Sequence, residues 1–267
     1  MSRSDIASLL VATSAGLFLA TVGPMQAAEA SGTKPILPKS TNLMDVEERV
    51  IPSLKEQFAA KGLQLGNPVF VRVFKETREL ELWVRASTDY QLFKTYPICS
   101  YSGALGPKLK EGDRQSPEGF YKVYPFQMNP NSSFHLSFNL GFPNRYDRAW
   151  QRTGSYLMVH GNCVSIGCYA MTNQGIEEIY LAANEAFKHG HDSFPVHSFP
   201  FRMTGENMSR HSGSDWVEFW ENLKEGYDAF ERTRIPPVIQ AKNQRYLVER
   251  SIGISNRKKI PKAKPAS

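Results

Sequence analysis

The chain has 267 residues, 41% of them hydrophobic, with 32 lysines and arginines against 26 carboxylates and a formal net charge of +6. That length and apolar content suit one folded domain rather than a disordered chain. The moderate basic excess fits solubility, an acidic polymer or an anionic surface. Beyond the N-terminal stretch, no segment is apolar enough for a membrane span.

The N-terminus reads as an export signal. Arg3 lies in a short polar start that also holds Asp5, Ile6 to Val22 is apolar or small, Gly23-Pro24 breaks a helix, and Ala28-Glu29-Ala30 offers a cleavage site. The alternative is an uncleaved anchor, for which the run is slightly short of the ~20 residues a span takes. Removing residues 1–30 leaves charged counts of 31 and 24 and a net charge of +7. A periplasmic location argues against nucleic acid as a partner.

Residues 31–41 contain Gly, Pro, Ser and Thr and read as a linker. Asn42 is expected to cap a helix to Lys61, in which Leu43, Val46, Val50, Leu54 and Phe58 recur at helical spacing and Gly62 is the stop. Val69–Phe74 and Leu80–Val84 are β-rich and flank a polar Glu76-Thr77-Arg78 turn, which predicts a hairpin. Tyr90–Ile98 is a third strand, and the glycine-containing stretch Gly103–Ser116 is a loop without the spacing of a phosphate-binding loop. Phe120–Phe126 and Phe134–Leu140 are expected strands, and Tyr156–Val159 is a short strand that delivers His160 at its end. A helix is expected from Thr172 to Lys188, then a last strand from Val196 to Phe201.

Asp215–Arg232 is expected to be helical, with Trp216, Phe219, Trp220, Leu223, Tyr227 and Phe230 on one stripe. The stripe packs on the sheet or, alternatively, offers a partner-binding or glycan-stacking face. His189-Gly190-His191-Asp192 reads as a helix cap and surface loop rather than a metal site. The basic segment 249–267, with Pro261 and Pro265, reads as a flexible tail. The fold class is mainly β with flanking helices, in a domain spanning residues 42–248.

Chemistry concentrates in His160-Gly161-Asn162-Cys163-Val164-Ser165-Ile166-Gly167-Cys168-Tyr169-Ala170-Met171. A free thiol has a pKa near ~8.5 and is a strong nucleophile only as the thiolate, so a nearby imidazole that takes its proton makes a reactive pair. A glycine before the cysteine permits a tight turn whose amides face a developing oxyanion. Together these residues point to covalent acyl transfer.

The stretch resembles the active-site signature of the L,D-transpeptidase (YkuD) family, His-Gly followed by Ser-x-Gly-Cys, here His160-Gly161 and Ser165-Ile166-Gly167-Cys168. Its close form, His-Gly-x-Cys-x-Ser-x-Gly-Cys-x-Ala-Met, is similar to the YafK-type branch. Phe74–Trp83, Gly112–Tyr121 with its Ser116-Pro117-Glu118-Gly119, and Phe199–Thr204 agree with that branch, so the resemblance spans residues 42–248. One departure is Tyr169-Ala170, where most family members carry a hydrophobic residue and then Arg.

The resemblance implies a β-sandwich core, Cys168 as nucleophile, His160 as base and then acid, and Ser165 supporting the turn or the tetrahedral intermediate. Gly167 and Cys168 are the expected oxyanion amides, with Gly161 a further backbone candidate. Tyr121, Arg145 and Tyr146 are weaker candidates for the cleft wall. Since Gly161 has no side chain, the His160 ring must be held by a backbone carbonyl or a distant group.

The resemblance also implies peptidoglycan stem peptides as donor, attacked at the L-centre carbonyl of diaminopimelate. The acceptor is a second stem, an amine of an outer-membrane protein or lipoprotein, or water. In the last case the enzyme is a hydrolase, of which one form cleaves a diaminopimelate–lysine bond to a lipoprotein. With Cys168 free, Cys99 and Cys163 form the natural disulfide. A Cys163–Cys168 bridge and a His160, Cys163, Cys168 metal site, which lacks an evident fourth ligand, are the alternatives. No cofactor is implied.

Overall fold

The computed structural model describes residues 37–249; the expected export signal, the start of the expected linker and the expected tail from residue 250 onward lie outside the described residues. The elements run α1 (Thr41–Ala60), β1 (Val69–Phe74), β2 (Glu79–Arg85), β3 (Tyr90–Tyr101), β4 (Gly119–Val123), β5 (Met128–Asn129), β6 (Ser137–Asn139), α2 (Arg145–Ala149), β7 (Met158–His160), β8 (Tyr169–Met171), α3 (Asn173–Lys188), β9 (Phe194–Phe199), α4 (Gly205–Arg210), α5 (Val217–Thr233), β10 (Val238–Lys242) and β11 (Arg245–Glu249). Among the described residues no helix is long and apolar enough to cross a membrane.

Nine strands pair in the order β4-β9-β1-β2-β3-β8-β7-β6-β5. The sheet is mixed, since β1 runs parallel to β9 and β7 parallel to β8, while the remaining pairs are antiparallel. The long strand β3 is shared: residues 90–97 pair with β2, and Ile98, Ser100 and Tyr101 pair with β8 across a register shift. The two halves then face each other. Phe138 of β6 meets Phe194 of β9 edge-on at 5.4 Å, and the Tyr169 hydroxyl of β8 bonds with Ser198 of β9 at 2.7 Å. Apolar side chains of β1, β2, β6, β7 and β8 share one core with α1 and α3, which makes the fold the expected β-sandwich with helices attached.

β1 is buried along its whole length because both of its faces are covered. Val69, Val71 and Val73 enter the shared core, whereas Phe70 and Phe74 turn to the side occupied by α5. The aromatic stripe of α5 packs there on Phe74, Phe120 and Phe199, so it is a core face and not the partner-binding or glycan-stacking face considered above.

The structure departs from the sequence reading at several boundaries. Ser40, not Asn42, caps α1 by accepting the Leu43 N–H, while Asn42 donates its side-chain amide to the His135 carbonyl. The strand expected over 134–140 shrinks to Ser137–Asn139, because Gly161 N–H takes the Phe134 carbonyl and His135 adopts φ +73°. The strand expected at 120–126 ends at Val123, before Pro125. The strand expected at 196–201 is Phe194–Phe199, and it is not the last: the β10–β11 hairpin follows, turning on Asn243 and Gln244, both at positive φ. Glu249, read as the start of the tail, ends β11.

A buried ion pair anchors the 103–118 loop. Lys75 Nζ, fully buried at the end of β1, donates to Gly106 O at 2.9 Å, Ser116 O at 3.1 Å and Glu118 Oε1 at 2.9 Å. Glu118 accepts in turn from Trp220 Nε1 and the Gly106 amide. Burial pushes the Lys75 ammonium down, and Glu118 opposes that shift. Glu118→Ala is expected to destabilise the fold by about 3–5 kcal/mol, because it strands a buried cation; Lys75→Met with Glu118→Leu should recover much of that loss, measured by urea unfolding.

His197 on β9 is wedged between the rings of Phe70 and Phe120, with Nδ1 unpartnered. Burial, with Arg72 nearby, pushes its pKa down to about 3. The native state therefore stays neutral below the unfolded value of ~6.5 while the unfolded chain binds a proton. This contribution is fully present above that value and is lost as pH falls toward about 3. His197→Gln should reduce the pH dependence of unfolding free energy between pH ~6 and ~4 by up to about 1.4 kcal/mol per pH unit.

Candidate functional site

β7 and β8 bring the two reactive residues together. Their parallel register aligns His160 with Ala170 and Val159 with Tyr169. Alternation along a strand then places Cys168, just before β8, on the same face as Ala170 and hence as His160. Tyr169 points the other way, into the core, where its hydroxyl meets the Pro117 carbonyl and Ser198. Ala170 is fully buried between Ser100 of β3 and His160 of β7, so the Tyr169-Ala170 pair fills packing positions in both layers.

His160 is 3% exposed and lies against the Phe134 ring at 4.7 Å. Its Nδ1 stands 2.6 Å from the carbonyl oxygen of Gly161. A carbonyl only accepts, so Nδ1 carries the proton and Nε2 has the free lone pair. The orienting group is thus the next residue's own backbone. Gly161 is required there by crowding: a Cβ would come within 2.6 Å of Asn173 Oδ1 and 3.0 Å of the Phe134 carbonyl.

Cys168 is half-buried and free. Its Sγ accepts the Met158 N–H at 3.4 Å and donates to the Tyr156 carbonyl at 3.6 Å, and no hydrogen bond joins it to His160. Burial pushes the thiol pKa up, against smaller opposing effects of the Met158 amide and the Lys108 charge. Burial pushes the His160 imidazole down, against the Gly161 bond. Both shifts favour the uncharged forms.

The turn before Cys168 is held by three hydroxyls. Ser165 Oγ donates to the Cys168 carbonyl at 2.7 Å, and Ser116 Oγ donates to the same oxygen at 3.0 Å. Ser102 Oγ accepts the Gly167 N–H at 2.8 Å and lies 3.1 Å from Ser165 Oγ. Gly167 has φ +117°, a conformation that L side chains rarely adopt. Of the expected oxyanion amides, Gly161 donates to Phe134 O and Leu136 O, and Gly167 donates to Ser102. The Cys168 amide has no such acceptor among the described residues.

The structure joins Cys99, on β3, to Cys163, with Sγ atoms 2.09 Å apart. Cys163 and Asn162 both have positive φ, and the Asn162 amide is taken by Asn173 Oδ1. Tyr121 and Tyr146 do not line the cleft. Both are buried, Tyr121 against Asp147 and Tyr146 stacked on Tyr246 at 4.1 Å. Arg145 is exposed on α2, beside a cavity of about 330 Å³ that holds no residue of the 160–171 stretch. His189 caps α3 and its Nδ1–H donates to the Glu185 carbonyl.

The exposed side chains of the segments flanking Cys168 include three large ones, Tyr156 at 75%, Val164 at 57% and Ile166 at 84% exposure, together with the polar Ser155 and Asn162. Sequence reasoning missed Ser102, Tyr156 and Phe134. It quoted Ser116 only as part of a motif, and a serine following a strand carries no signal of its own.

The family profile YkuD, the L,D-transpeptidase catalytic domain, matches residues 68–196, which contain His160, Cys168, both bridged cysteines and the three serines of the turn. YafK of Escherichia coli (strain K12), named as an L,D-transpeptidase, is 52% identical over 188 residues, covering 70% of this chain and 76% of that protein. The protein of that name from Escherichia coli O157:H7 matches equally. The chain belongs to the L,D-transpeptidase (YkuD) family. Among solved structures, the helical cell shape determining protein Pgp2 (K307A mutant) of Campylobacter jejuni aligns at 18% identity and a TM-score of 0.43, over 61% of this chain and 56% of that one, a likeness too slight to add to the sequence relationship.

With Cys99 and Cys163 bonded, Cys168 is the one thiol open to alkylation. Its raised pKa means less thiolate at neutral pH than in the unfolded chain. Iodoacetamide labelling followed by mass spectrometry should therefore rise in a single step centred above the ~8.5 of a free cysteine. A reactive plateau at pH ~5–6 would instead reveal a preformed ion pair.

Proposed function

We propose that this protein is a periplasmic cysteine L,D-transpeptidase acting on peptidoglycan stem peptides. The observation that carries the reading is the shared face of His160, on β7, and Cys168, just before the adjacent parallel strand β8, with the imidazole pinned through Nδ1 so that Nε2 is basic. Export is supported by the N-terminal sequence and by the Cys99–Cys163 bond, which suits an oxidising compartment.

In the proposed cycle the Cys168 side chain leaves the Tyr156 carbonyl and gives its proton to His160 Nε2 as Sγ attacks the L-centre carbonyl of diaminopimelate. The Cys168 amide faces the oxyanion of the tetrahedral intermediate. The intermediate collapses to a thioester as the imidazolium returns its proton to the departing D-alanine amine. An acceptor amine then attacks the thioester, with His160 taking its proton, and the thiol is restored. Water in the place of the amine gives hydrolysis by the same steps. The choice between them depends on which nucleophile reaches the thioester and on how far water is excluded.

The test supplies the purified protein with tetrapeptide muropeptides and free D-amino acid, and separately with muropeptides carrying a lipoprotein's terminal lysine. Products are read by mass spectrometry against Cys168→Ala. Exchange of the terminal D-alanine or new cross-linked dimers is the expected result. Release of the lysine adduct to leave a tripeptide would make the enzyme the hydrolase, and no difference from Cys168→Ala would end the cysteine mechanism. His160→Ala is expected to lower turnover by about 10²–10⁴-fold.

A further inference from the structure

We infer that Ser102, the residue following β3, is the positioning residue of the nucleophile turn, an inference that rests on the cysteine reading of this site. The hydrogen-bond partners assign nearly every proton. The carbonyl of Cys168 only accepts, so Ser165 and Ser116 each spend their single hydroxyl proton on it. The Ser116 oxygen receives the Ser102 amide at 3.0 Å. Ser102 Oγ receives the Gly167 amide at 2.8 Å. Between Ser102 and Ser165, 3.1 Å apart, the one proton still uncommitted is that of Ser102, so Ser102 donates to Ser165. Ser102 is therefore the one residue that grips both the amide before the nucleophile and the hydroxyl that fixes the nucleophile's own carbonyl.

This arrangement meets a specific need. Gly167 is glycine because of its φ of +117°, and glycine left to itself visits many backbone conformations. The turn must nonetheless aim the Cys168 amide at the substrate oxyanion and Sγ toward the space shared with His160. Ser102 supplies the restraint from outside the turn, at the end of a strand paired with β8 through Tyr101 and Tyr169. It also holds the Gly167 N–H away from the substrate, so the Cys168 amide acts without competition from its neighbour. The part of Ser102 is to hold reacting groups at their working distance, and displacement of such groups by about 1 Å costs on the order of 10²-fold in rate.

The experiment compares full-length parent, Ser102→Ala and Ser102→Thr in muropeptide turnover, with amide hydrogen exchange of residues 165–169 as a second readout. Ser102→Ala is expected to lower kcat by about 10- to 100-fold with KM little changed. Exchange at the Gly167 amide should accelerate while the strands keep their protection. Ser102→Thr, which retains the hydroxyl, should recover at least half of the lost logarithmic rate. A Ser102→Ala enzyme with parental kcat would overturn the inference, and so would a slow one that threonine leaves equally slow. If the parent itself turns over no muropeptide, the functional reading fails. The exchange measurement then decides for Ser102 alone, and unaltered protection at Gly167 in Ser102→Ala counts against it.

Discussion

The three residues of β8 are paired on both sides, antiparallel to β3 and parallel to β7. The reactive geometry follows from that double pairing. The parallel register places His160 and Cys168 on one face of the sheet. The antiparallel register brings the end of β3, and with it Ser102, against the turn that precedes Cys168. Because β3 also pairs with β2, the same strand carries the rigidity of the other layer into the site. A three-residue strand alone would be marginal, and it is the neighbours that hold it.

Burial sets the electrostatics. Cys168 and His160 are each desolvated toward the neutral form, and each is satisfied by backbone: the thiol by the Met158 amide and Tyr156 carbonyl, the imidazole by the Gly161 carbonyl. The fully buried Lys75–Glu118 pair shows the opposite solution, in which charge is kept inside by using all three ammonium donors. Through the Ser116 carbonyl that pair supports the segment whose hydroxyl bonds Cys168.

Elements with strong periodicity were legible. The apolar spacing of α1, α3 and α5 and the aliphatic runs of β1 and β2 each point to one structure, because in each a single buried face dictates residue type. The β10–β11 hairpin was not legible. Its strands are mostly exposed apart from Tyr246, so the alternation that marks a half-buried strand is thin. The 134–140 segment misled for a different reason: Leu136, Phe138 and Leu140 do enter the core, but Phe134 covers His160 and gives its carbonyl to the Gly161 amide, so the start of the segment does not join the ladder.

The sequence by itself determined the pairing of a histidine with a cysteine eight residues away, the glycines beside each, and the family to which such a stretch belongs. These are local, since the identity of the reacting groups and the φ their turns require are properties of the chain at that point. The tertiary structure alone decided which atom holds the imidazole, which amides of the stretch are already taken, which way burial shifts the thiol and the imidazole, and that Ser102 meets the Gly167 amide. Those depend on desolvation and on hydrogen-bond partners that range from the adjacent residue, for the imidazole, to 52 and 65 positions away, for the turn before Cys168, and the residue types of the motif do not encode them.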